Sequence, residues 1–199
     1  MPSQKQSPFT PNPHDLLIAE YNFVSGLVFQ SGAEEIPKEV FNFDIATFAG
    51  IAIGIIGGQY VIDPSNLPLV NFGLAVYFFW LAIRGLMTEY ILARKRSEWH
   101  ENLIIHNRIK DFYIQHNQSL APAITIRTST IPRIYSPYSV SFILAIQVAL
   151  FSGGALSLAI YLTLAGFGYL GGQVIAIIFG IAFFLFLTRL YKYLLTINL

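Results

Sequence analysis

The chain has no cysteine among its 199 residues. That absence excludes disulfides, thiolate metal sites and cysteine nucleophiles. Charge is also scarce. Only 12% of residues are Asp, Glu, Lys or Arg, about half the share of roughly 25% usual in soluble domains. A soluble domain could not cover its surface with so few polar groups. The charges present balance to +1, which leaves no footprint for a nucleic-acid partner. No glycine-rich loop followed by Lys-Ser or Lys-Thr occurs, and no Gly-x-Ser-x-Gly. The opening residues, MPSQKQSPFTPNPHD, hold no apolar run of the kind a cleaved signal peptide needs. Insertion is therefore expected to rely on internal helices.

What remains is apolar sequence, with 54% hydrophobic residues and a mean hydropathy of +0.56. Four runs carry it: 45–62, 67 to about 87, 139 to about 165, and about 170 to 187. Each approaches or exceeds the roughly 18–20 residues that cross a hydrocarbon core of about 30 Å. Only helices satisfy their own backbone within one such segment. The expected fold is an all-α integral membrane protein with four transmembrane helices in two hairpins, turned at DPSNLP and GFGYLGG.

The chain then divides into four parts. Residues 1–44 are an N-terminal tail, an interfacial helix from Asp15 to about Gln30, and a linker broken at Pro37. Residues 45–87 are the first hairpin. Residues 88–138 are a charged loop that continues the second helix and returns through a Pro- and Thr-rich stretch. Residues 139–199 are the second hairpin with a short tail. All twelve Lys and Arg lie outside the two hairpin turns, which places both termini and residues 88–138 in the cytoplasm. The membrane is expected to be a bacterial inner membrane or its equivalent.

Small residues recur at steps of four. The first run has Gly50, Gly54 and Gly58, the third Ala145, Ala149, Gly153 and Ser157, and the fourth Gly172, Ala176 and Gly180. Such spacing lets helix backbones approach closely where no hydrophobic effect drives association. Packing within one bundle is the plainer use of these residues. A self-association face or a pore lining is the sharper one. The second run, VNFGLAVYFFWLAIRGL, is bulky and aromatic and is read as facing lipid.

Polarity inside the runs is limited to residues such as Thr47, Asn71, Gln147 and Thr163. No ionisable side chain falls near the midplane, which argues against a proton-coupled carrier. Gln147 either lines a polar path or bonds a neighbouring helix. His100, His106 and His116 are spaced by six and ten, so a helix does not bring them to one face as a metal site requires. No residue is assigned to catalysis, a cofactor or a metal, and an enzyme is not expected. The leading reading is a homo-oligomeric multi-pass protein that forms a channel or pore, or perturbs the membrane. The alternative is a non-catalytic scaffold subunit of a larger complex. Its expected partners are the lipid bilayer and either further copies or other membrane subunits.

Overall fold

The structure is a computed structural model that describes residues 13–30, 36–60, 67–116, 118, 121–122, 127–167, 169 and 171–197; of residues 13, 16, 55–60 and 67 it describes the backbone alone. Five helices carry the fold: α1 Pro13–Phe29, α2 Ile36–Tyr60, α3 Leu67–His116, α4 Val140–Gly166 and α5 Gly172–Ile197. No strand occurs among the described residues. Three of the helices, α3, α4 and α5, are long and apolar enough to cross a membrane. The build is that of a membrane-embedded protein.

Pro37 does not break the chain as its sequence context suggested. It is the second residue of α2, inside the first turn, where its missing N–H has no partner to lose and its ring meets no earlier carbonyl. The helix therefore starts nine residues before the apolar run and carries Lys38, Glu39 and Asp44 on its early turns. Ser139 caps α4, its hydroxyl accepting from the Phe142 backbone N–H at 3.3 Å. Helix α3 runs unbroken for 50 residues, about 75 Å at 1.5 Å per residue. That is more than twice the hydrocarbon core, so a helix crossing it directly would carry its second half beyond the hydrocarbon. This half bears Arg94, Lys95 and Arg96, and the end of the bundle it leaves from is called the basic end below.

Helix α4 sits between α3 and α5 and is buried on two sides. Its adjacent residues Ser152 and Gly153 meet opposite neighbours. Ser152 enters the space left by Gly85 of α3, while Gly153 lies on the backbone of Gly180 in α5. Helix α5 buries only a thin stripe, including Gly172, Ala176, Gly180, Leu187 and Tyr191. Its remaining faces present large apolar side chains such as Ile177, Ile178 and Phe186 outward.

Helix α3 corrects the lipid-facing reading of its aromatic run. Phe72, Phe79, Trp80 and Met87 do face outward, but Ala75, Phe78, Ala82, Gly85, Glu89 and Leu92 are buried. These recur at steps of three and four, the rhythm of a packed helical seam. Bulk on one side concealed a packing face on the other.

Beyond the apolar part, α1 lies along the α3 extension. Val24 is buried there, and the Tyr21 ring stacks on His106 with centroids 4.5 Å apart. The return segment is tied to the same extension. Arg96 Nε donates to the Ile134 carbonyl at 3.1 Å, and His100 Nε2 lies 3.2 Å from the Pro132 carbonyl. On the exposed side Arg94 pairs with Glu98 at 2.9 Å, as their i,i+4 spacing predicts. Arg108 and Asp111, also spaced to pair, do not; Asp111 Oδ2 accepts from the Thr128 backbone N–H instead, at 3.3 Å.

Candidate functional site

Of the small residues singled out by spacing, those of α4 and α5 come together. A Cβ on Gly153 would stand 2.7 Å from the Gly180 carbonyl oxygen, and a Cβ on Gly180 would stand 2.7 Å from the Gly153 oxygen and 2.9 Å from Ser157 Cβ. Gly172 accommodates Leu164 in the same seam. Ala145, Ala149 and Ala176 are buried. On α2 the three glycines divide. The Tyr77 ring lies over Gly50, and its hydroxyl donates to the Ala46 carbonyl at 2.7 Å. A Cβ on Gly54 would meet, among the described residues, only the far end of Leu74, at 4.0 Å. Gly58 falls among the residues described by backbone alone. Gln147 donates from Nε2 to Asp44 Oδ2 of α2 at 2.8 Å, so its amide serves an interhelical hydrogen bond.

Sequence reasoning missed the polar groups that the packed face of α3 carries beyond the apolar run. Glu89 is fully buried, and neither carboxylate oxygen has a hydrogen-bond partner among the described residues. The Tyr191 hydroxyl, on α5, is buried and unpartnered as well. Ser141, at the start of α4, borders this hydroxyl without meeting hydrogen-bond geometry. A second orphaned group lies farther along α3 on the α1 side. There His106 Nε2 and both amide atoms of Asn107 are buried without partners. Buried polar groups are nearly always satisfied, and an uncompensated one costs roughly 1–3 kcal/mol. The seam rhythm was the available signal. Extended from Ala75 by threes and fours it reaches Glu89, but a carboxylate beside a basic cluster reads as solvated surface.

No protein family, curated protein or solved structure matches this sequence. The site must be judged on its own chemistry. Among the described residues no three His, Asp or Glu side chains gather closely enough to hold a metal ion. What the basic end offers is a set of buried polar groups at a helix junction, flanked by an open cleft between α1, α2, α3 and the start of α4.

His100 and His106 of the extension are placed to respond to pH. Both lie more than 30 residues past the start of α3, at least about 50 Å along its axis and clear of the core. Burial holds each imidazole below the ordinary value of 6.5, and the Lys110 ammonium adds to this at His106. The folded form thus binds these protons less readily than the unfolded chain. Its stability is complete above about pH 6.5 and falls as pH drops through that value. The expected result is that α1 amides lose hydrogen-exchange protection on acidification. His106→Phe keeps the stack on Tyr21 without a titratable nitrogen and should flatten the pH response of α1. An unchanged response in that variant would remove His106 from the docking.

Proposed function

We propose that the chain is a four-pass, non-catalytic structural subunit of a membrane assembly. The observation that carries this reading is the mutual filling of Gly153, Ser157 and Gly180 within one chain. Gly153 and Gly180 are thereby committed to the contact of α4 with α5, which counts against their use between identical copies. The pore reading drew on the same residues. The wide apolar exposure of α5, with Ile177, Ile178 and Phe186 turned outward, supplies surface for lipid and for neighbouring subunits.

On this reading α2 crosses the membrane with α3 as a first hairpin, and α4 with α5 forms the second. The basic end lies in the cytoplasm with both termini, because the hairpin turns hold no Lys or Arg. The C-terminal end of helix α1 reaches the membrane interface, its Phe29 being exposed where lipid can cover it.

Labelling of single cysteines tests the topology, since the chain has none of its own. Reagent outside intact cells should reach Ser65→Cys and not Ser119→Cys. The purified protein should run in mild detergent as one or two copies and pass no ions or dyes in liposomes. A closed ring of copies that conducts would restore the pore reading and end this one.

A further inference from the structure

The cleft at the basic end has a volume of about 570 Å³ and a divided lining. Val28, Phe29 and Leu144 make apolar walls, while Arg96, Ser139 and Ser141 make a polar one. Arg96 is the informative member. Its Cζ stands 4.1 Å from the centroid of the Trp99 ring, and its Nε is taken by the Ile134 carbonyl. Its neighbours Arg94 and Lys95 share Glu98, but Arg96 meets no carboxylate among the described residues. A fixed, partly desolvated guanidinium facing a cleft in which no described residue supplies a counter-charge favours an anionic ligand.

The level of the cleft says which one. Helix α4 has 27 residues, about 40 Å from its far turn to Val140 at 1.5 Å per residue. Arg96 follows the start of α3 by 29 residues, about 44 Å on the same scale. A bilayer measures about 30 Å across its hydrocarbon and about 40–45 Å with its headgroups. Both ends of the cleft's polar wall thus fall in the headgroup layer. Val140 and Phe29 at its rim are 72% and 67% exposed, apolar surface that acyl chains would cover. Leu144 lies one turn of α4 deeper, toward the hydrocarbon.

We propose that the cleft binds one anionic phospholipid, with its phosphate on Arg96 and an acyl chain along Leu144. The beginning of α4 adds the positive end of its dipole to the same place. A pocket of this kind selects a headgroup by charge and holds it by the tail. The site goes beyond the structural role proposed above and does not depend on copy number or conduction.

Native mass spectrometry of the detergent-purified full chain tests it, with phosphatidylglycerol, phosphatidylcholine and inorganic phosphate added in turn. Phosphatidylglycerol should be retained about fivefold better than phosphatidylcholine, the factor that one basic side chain at a bilayer surface supplies. Arg96→Gln should abolish that preference, and Arg94→Gln should leave it intact. Excess inorganic phosphate should not displace the lipid. If Arg96→Gln fails to fold, Leu144→Trp, which fills the cleft from its apolar end, should cut phosphatidylglycerol retention in its place. Equal retention of the two lipids would overturn the proposal. So would equal losses in the Arg94 and Arg96 variants, full displacement by phosphate, or full retention by Leu144→Trp where that variant decides.

Discussion

Gly153→Leu should yield no stably folded protein, while Gly154→Leu beside it should be tolerated. The two glycines are neighbours in sequence and differ in what stands before them. A Cβ at 153 would lie 2.7 Å from a backbone oxygen of α5 and 3.1 Å from Phe184 Cβ, whereas nothing lies within 4 Å of a Cβ at 154. Backbone cannot swing aside as a side-chain tip can, so even Gly153→Ala should cost about 1–3 kcal/mol by overpacking. Leucine at 153 would have to separate α4 from α5, which pack together over much of their length. Gly180→Ala should match Gly153→Ala, because the contact is reciprocal. Gly54→Leu, which the stripe on α2 marks as equally damaging, is expected to be mild, since among the described residues only Leu74 comes near a Cβ there, at 4.0 Å. Yield and thermal unfolding in detergent measure the series. Similar behaviour at 153 and 154 would mean that α4 and α5 do not pack through this glycine.

Glu89→Met should make the protein more stable, by about 1–3 kcal/mol. The side chain is fully buried with both oxygens unpartnered. Replacing an uncompensated buried polar group by an apolar one of similar volume removes a desolvation cost and keeps the packing. Tyr191→Phe, which deletes the other orphaned polar atom of the pair, should also stabilise, by about 1 kcal/mol or more. The measurement is the thermal midpoint of each variant in one detergent. A marked loss of stability in Glu89→Met would show that the carboxyl has a partner that matters. A residue that costs stability where it stands is a natural place to look for lost function in the stabilised variant.

The helices were legible because length and hydropathy impose them. The apolar parts of α3, α4 and α5 follow directly from runs of uncharged residues, and the continuation of α3 follows from the absence of Gly and Pro between Thr88 and His116. The start of α2 was misread because Pro37 looks the same whether it ends a linker or opens a helix, and only the following turns decide. The packing partners were half legible. Spacing found Gly153, Ser157 and Gly180, which do meet, but it gave Gly54 the same weight as Gly50. A one-dimensional pattern cannot say that Tyr77 lies over one glycine and only the tip of Leu74 reaches the other. Gly85 and Glu89 escaped because their face mixes Ala, Phe, Gly and Glu, so no single residue type marks it. The cleft at Arg96 joins four elements distant in sequence, and nothing local announces it.

The unbroken course of α3 has a mechanical consequence. Its first half is clasped by α4 and its second half by α1 and the return segment, with no proline or glycine hinge between Gly85 and His116. Such a helix turns as one lever about the bilayer. If lipid thickness or a neighbouring subunit tilted the embedded half by about 5°, the far end, about 40 Å away, would sweep about 3–4 Å. A stress inside the membrane would arrive undiminished at His116.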